Sequence, residues 1–226
     1  MEKRIELKGP ISGYLFPHKA ILVELESLKK LSASLLTRDD ALQEFEGRVN
    51  FMRLFFTAHE DGEEAALYPV AESLRKGISK PFEWDRHISQ QHFQAISTAI
   101  AEYKASENQT DAALKIAQTT AALEAFLGAH EIKEDEILLP LIDAELSPPE
   151  QGKVIGAAMS KFPPSSVEDV EKFLIKRLSQ PERTGFLKAI KLGAPPETFK
   201  AITAWVKEVV SPEEWRELTA KMPELE

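Results

Sequence analysis

The chain has no cysteine and so no thiol chemistry, and its imidazole chemistry rests on five histidines: His18, His59, His87, His92 and His130. Two of them open near-copies of one motif. Residues 59–69 read HEDGEEAALYP and residues 130–140 read HEIKEDEILLP, with carboxylates at +1, +4 and +5, Leu at +8 and Pro at +10 in both. On a helix, positions i and i+4 project from one face about one turn apart. His59 with Glu63, and His130 with Glu134, therefore each present an imidazole and a carboxylate to one point. Facing each other on two helices, the pairs offer two nitrogens and two carboxylates able to bridge, which is how helical bundles build dinuclear carboxylate centres.

The neighbours of these histidines test whether they point inward. His18 has Leu15, Ile21, Leu22 and Leu25 at −3, +3, +4 and +7. His59 has Met52, Phe55 and Phe56 at −7, −4 and −3, and His130 has Leu123, Phe126 and Leu127 at the same offsets. A single histidine on an apolar stripe is most often a hydrogen-bonded core residue. Three of them beside two buried glutamates need a shared partner, because an unpaired buried polar group is costly, and a metal ion fills that role. Glu60 and Glu131 read as surface residues, and Asp135 as a group outside the ligand set.

The third helix offers two candidates. His92 shares a stripe with Ile88, Ile96 and Ile100, whereas His87 lies to one side of it, near the helix start. Five residues apart, they sit ~140° from each other on a regular helix. A π-bulge would bring both to one face, and such bulges gather at functional sites. Both stay candidates.

All-nitrogen and oxygen ligation with bridging carboxylates suits iron or manganese better than four-coordinate zinc. The lack of cysteine excludes thiolate sites, iron–sulfur clusters and disulfides. There is no HExxH, no recognisable serine triad and no glycine-rich phosphate loop. A net charge of −9 with pI near 5.2 argues against a nucleic-acid surface. No run approaches the ~20 apolar residues of a membrane span, and the first residues carry no apolar leader segment, so the expectation is a cytoplasmic protein.

The elements that must position these groups are helical throughout, with no convincing period-2 strand. The first helix spans roughly Ser12 to Leu36. Asp39–Asp40 can cap a long second helix, which Pro69 breaks or kinks at its far end. A third begins near Phe82, and a fourth runs from about Asp111 to Pro140. Short loops make this an all-α, four-helix up-down bundle. His18 precedes His59 by 41 residues and His92 precedes His130 by 38, about one helix, a loop and most of the next helix, so all can meet at one height. From Ser147 the chain turns to short helices punctuated by proline, with Ser211-Pro212-Glu213-Glu214 as a capping box. Residues 1–146 thus read as the bundle and 147–226 as a helical C-terminal extension packed on it.

A histidine in the first helix, His-x3-Glu, a third-helix histidine and a second His-x3-Glu resemble the hemerythrin-like, HHE cation-binding domains. The first-helix wording GYLFPHKAILVELESL and the tail LGAPPETFKAITAWVKEVVSPEEW resemble the domains of plant BRUTUS-type, iron-regulating ubiquitin ligases. The resemblance spans roughly residues 10–222. It implies metal ligands at His18, His59, Glu63, His130 and Glu134, and on the third helix it favours His87 over the His92 that periodicity favours. It also implies a cofactor of two non-heme irons, oxo- or hydroxo-bridged. Oxygen-carrying hemerythrins have His-x3-His on the third helix, a spacing that His87 and His92 break. The expected role is therefore sensing or binding of oxygen or iron, in iron homeostasis, with dioxygen, another small diatomic or peroxide as ligand. A protein partner would use the C-terminal extension. The rivals are a di-iron enzyme acting on peroxide or nitric oxide and a metal-free interaction module.

Overall fold

The computed structural model describes residues 7–38 and 40–225, and every regular element among them is helical. A 3-10 turn at Pro10–Tyr14 leads into α1 (Leu15–Ser34). Helix α2 (Ala41–Gly62) runs through a π turn (Glu63–Leu67) into α3 (Tyr68–Leu74), and α4 (Lys80–Ala105) follows. Helix α5 (Gln109–Lys133) runs through a second π turn (Glu134–Leu138) into α6 (Leu139–Glu145). Helices α1, α2, α4 and α5 form the four-helix bundle, with α5 against α1 and α4, and α2 against α1. Leu25, Phe45, Met52, Phe56, Ile96, Ile116 and Leu127 fill its core.

Pro69 does not break the second helix as the sequence suggests. A proline ring inside an α-helix clashes with the carbonyl four residues back, here that of Ala65 for Pro69 and Glu136 for Pro140. Both prolines instead follow a π turn, in which Tyr68 N–H donates to Glu63 O and Leu139 N–H to Glu134 O, and the helix continues. The expected capping pair also differs. Asp39 lies outside the described residues, and Asp40 makes no capping bond to α2, because Arg38 holds its carboxylate.

Beyond the bundle come α7 (Pro148–Met159), α8 (Val167–Arg177), α9 (Gln180–Gly193), α10 (Pro196–Val209) and α11 (Pro212–Lys221). Three of these start alike: Glu150, Glu182 and Glu214 each reach back 2.8 Å to accept from the N–H of Ser147, Ser179 and Ser211. Phe162, Leu174, Phe186, Ile202 and Val206 join the same buried cluster as the bundle core. Two features bind the extension to the bundle. Buried Glu24 of α1 accepts from Arg48 of α2 and from Arg177 of α8. At Gly62, the last residue of α2, a Cβ would stand 2.9 Å from the Ala158 carbonyl of α7, so only glycine permits that approach. No helix among the described residues is long and apolar enough to cross a membrane.

Candidate metal centre

His18 of α1, His59 of α2 and His130 of α5 all reach the middle of the bundle and are buried. Regular α turns place the glutamates of both motifs beside them, since Glu63 N–H donates to His59 O and Glu134 N–H to His130 O. His59 Nε2 lies 2.9 Å from Glu63 Oε1, and His130 Nε2 lies 3.6 Å from Glu134 Oε1. His18 Nε2 stands between the motifs, 3.7 Å from Glu63 Oε1 and 3.6 Å from Glu134 Oε2. One consequence of the first π turn is visible in Tyr68. Residues five apart share a face there, so the Tyr68 hydroxyl spans both glutamates, 3.4 Å from Glu63 Oε2 and 3.0 Å from Glu134 Oε1.

Ligand-capable atoms gather in two overlapping groups. Those of His18, His59, Glu131 and Glu134 lie within 4.8 Å of one another, as do those of Glu63, His130 and Glu134. Glu134 belongs to both. Glu131 was expected at the surface but is fully buried, and its Oε2 is 3.3 Å from His18 Nδ1. Glu60, at the matching place in the first motif, is buried too and accepts from Ser89 at 2.8 Å. The residue following each motif histidine was the signal: the echo places both acids on the inner side, not on the solvated face.

The third helix brings no histidine to the cluster. His87 is exposed, and His92 is half-buried with its ring 5.1 Å from that of Phe126. Helix α4 is regular α throughout, so the π-bulge that would bring both histidines to one face is absent there, and π turns occur instead after the two motif histidines, starting at Glu63 and Glu134. The inner stripe of α4 runs Phe82, Asp85, Ser89, Phe93, Ile96, Ile100, Tyr103. Stepping back from Ile96 by fours, through His92 to Ile88, drifts ~40° per step off that face, whereas alternating threes and fours stay on it. Asp85 therefore occupies the inner place. Its Oδ2 accepts from His130 Nδ1 at 3.1 Å and also pairs with Lys133.

Asp135 plays the same part for α1, accepting from His18 Nδ1 at 2.7 Å. A carboxylate only accepts, so each Nδ1 carries a proton and it is Nε2 that faces inward, able to offer its lone pair to a cation. The inward atoms face one another and nothing else: His18 Nε2, His59 Nε2, His130 Nε2, Glu63 Oε1, Glu134 Oε2 and both Glu131 oxygens are buried without a well-formed hydrogen bond, although His59 Nε2 and Glu63 Oε1 stand 2.9 Å apart. Native interiors seldom leave buried polar atoms unsatisfied, still less seven around one point. A donor set of imidazole nitrogens and carboxylates whose inward atoms all lack a well-formed hydrogen bond fits a multivalent cation.

The electrostatics agree. Burial disfavours a charged His130, yet Glu134, the bond to Asp85 and Glu131 together push it up to about 9. Burial likewise opposes charge on His18, but Glu131, Asp135 and Glu63 raise it well above its ordinary value. Burial, and then the nearby Glu63, drive Glu134 upward, whereas His59 and His18 overcome burial to hold Glu63 low. Burial pushes Glu60 up to about 8. Without a cation the centre must retain protons to offset its carboxylates.

The chain matches the family model of the hemerythrin HHE cation-binding domain over residues 10–142. It is 23% identical over 218 residues to a BRUTUS-like zinc finger protein of Arabidopsis thaliana, covering 88% of this chain and 17% of that protein. Zinc finger protein BRUTUS of the same plant is 21% identical over 201 residues, covering 88% of this chain and 16% of its own length. The chain thus spans less than a fifth of these relatives. No solved structure matches it significantly.

Proposed function

Because this chain belongs to the hemerythrin HHE cation-binding family, we propose that its buried His/Glu cluster holds two non-heme irons and that its role is to bind or sense oxygen or iron. His18, His59, Glu131 and Glu134 would hold one ion, Glu63, His130 and Glu134 the other. One observation carries this reading: the inward nitrogen and oxygen atoms converge on one another without a well-formed hydrogen bond, while Asp135 and Asp85 hold two of the imidazoles from behind. Such an iron pair, when bound, supplies one-electron changes and coordination positions for a small ligand.

The chain's own residues do the rest. Asp135 and Asp85 fix which ring nitrogen faces the cations. Tyr68 donates to both glutamates and so keeps their orientation while presenting one hydroxyl to the centre. Phe55, Phe56 and Phe82 pack around His59 and His130 and exclude water. A sensing role draws support from α7, which packs on the first π turn and approaches Gly62 within van der Waals contact. Movement of Glu63 would therefore press on the extension.

Metal analysis of aerobically purified protein tests the reading. Two irons per chain are expected, with loss of iron on substitution of His59 or Glu134. Protein that stays metal-free after iron is added, or that holds a single zinc, overturns it. One observation favours catalysis as a second reading, since Tyr14 and His59 border an apolar cavity through which a substrate could approach. Rapid peroxide turnover, with identical protease cuts near Ser147–Pro149 in chelated, reduced and oxidised protein, would favour the enzyme over the sensor.

A further inference from the structure

The cavity between bundle and extension has a volume of about 360 Å3. Its wall is almost wholly apolar, with Phe55 from the bundle and Phe162, Leu174, Phe186, Ile202 and Trp205 from the extension. Glu171 of α8 breaks that pattern. It is 4% exposed, it lines the cavity, and its Oε2 has no hydrogen-bond partner. The cations nearest in sequence are taken: Lys172 pairs with Glu168 and Glu208, and Arg177 with Glu24. Burial alone moves the Glu171 carboxyl up to about 7. A carboxylate in an apolar wall, with no protein group to satisfy it, is a recognition element whose partner comes from outside.

We propose that this cavity binds a hydrophobic amine, its ammonium paired with Glu171 and its hydrocarbon body against the aromatic and aliphatic wall. The opposite charge of an ammonium, and its supply of hydrogen-bond donors, match what Glu171 lacks, whereas a carboxylate ligand would meet like charge. Water can satisfy the carboxylate but gains nothing from the surrounding apolar surface. The volume suits roughly ten non-hydrogen atoms at ~30 Å3 each, the low end of small-molecule sites. His59 and Tyr14 border the same cavity, but the ammonium is assigned to Glu171, and its binding there does not depend on iron.

Trp205 in the wall provides the readout. The full chain, iron-loaded and chelated, is titrated at pH 8 with n-octylamine, octan-1-ol and octanoate, following tryptophan fluorescence and calorimetric heat. The amine should bind at least about tenfold more tightly than the alcohol, a difference of ~1.4 kcal/mol, and octanoate should not bind. In Glu171→Gln the amine preference should vanish while the alcohol still binds. That variant keeps the shape of the side chain, and its melting temperature, unchanged or higher, verifies the fold. Equal affinity for amine and alcohol in the wild type, or preference retained in Glu171→Gln, overturns the proposal. Amine binding seen only in the iron-loaded form also overturns it, since the head would then be on the metal. Absence of iron with the amine preference intact would instead strike at the metal reading alone.

Discussion

Glu134→Gln separates a metal centre from a buried polar cluster, because it should change stability in opposite directions with and without iron. Glu134 is fully buried, Oε1 accepts from Tyr68 at 3.0 Å, and Oε2 has no partner. Burial and Glu63 both oppose its ionisation. Glutamine keeps the shape and the acceptor for Tyr68, removes the charge, and turns the unpartnered oxygen into a donor that faces carboxylates. An unsatisfied buried group costs about 1–3 kcal/mol, so relief of about 1–2 kcal/mol is expected in chelated protein. For a chain of 226 residues, at about 2–4 °C per kcal/mol, the melting temperature should rise by about 2–8 °C. With iron present the sign reverses. At a hundredfold excess over Kd, iron adds about 2.7 kcal/mol to the wild type. A hundredfold weaker site would keep only about 0.4 kcal/mol of that. Thermal melts by circular dichroism, chelated and iron-loaded, measure all four values. A variant that melts below wild type when chelated, and still gains the full iron increment, refutes the reasoning.

Three other outcomes follow from the same geometry. Asp135→Asn and Asp85→Asn each remove the carboxylate behind a histidine, and should weaken iron binding by about 10–100-fold, read by competition with a chelator of known affinity. His87→Ala and His92→Ala should leave iron content unchanged, since one ring is exposed and the other packs on Phe126; loss of iron in either would mean the third helix turns differently from the one described. The Glu171 carboxyl has a folded value of about 7, above its ordinary 4.5. In that window the native state keeps a proton the unfolded state has lost, so this contribution to stability is full below pH 4.5 and falls as pH rises to 7. The loss amounts to about 3 kcal/mol at 1.36 kcal/mol per pH unit, and Glu171→Gln should abolish it in denaturant titrations of chelated protein across that range.

Much of this protein was legible in its residues because the signals were local. The 3.6-residue spacing of Leu, Ile and Phe marks the four long helices, and Ser-Pro-Glu patterns mark the starts of α7 and α11. The repeated His-x3-Glu placed His59 with Glu63 and His130 with Glu134, since an i,i+4 pair on a helix needs no knowledge of the rest of the chain. His18 followed from its apolar neighbours. What failed depended on contacts between helices. The angle at which α4 faces α5 is set by Phe93 and Ile96 in the core, and it turns Asp85 inward and leaves His87 and His92 out. Glu131 is buried because α1 and α5 close over it, which its charge alone argues against. The π turns belong to the same class: proline marks where a helix must yield, but only packing decides whether it breaks or widens. The cavity beside Glu171 has no trace in the sequence, because it exists only where four extension helices, α7 to α10, meet the bundle. Local periodicity determined which residues could share a face; tertiary packing decided which faces met.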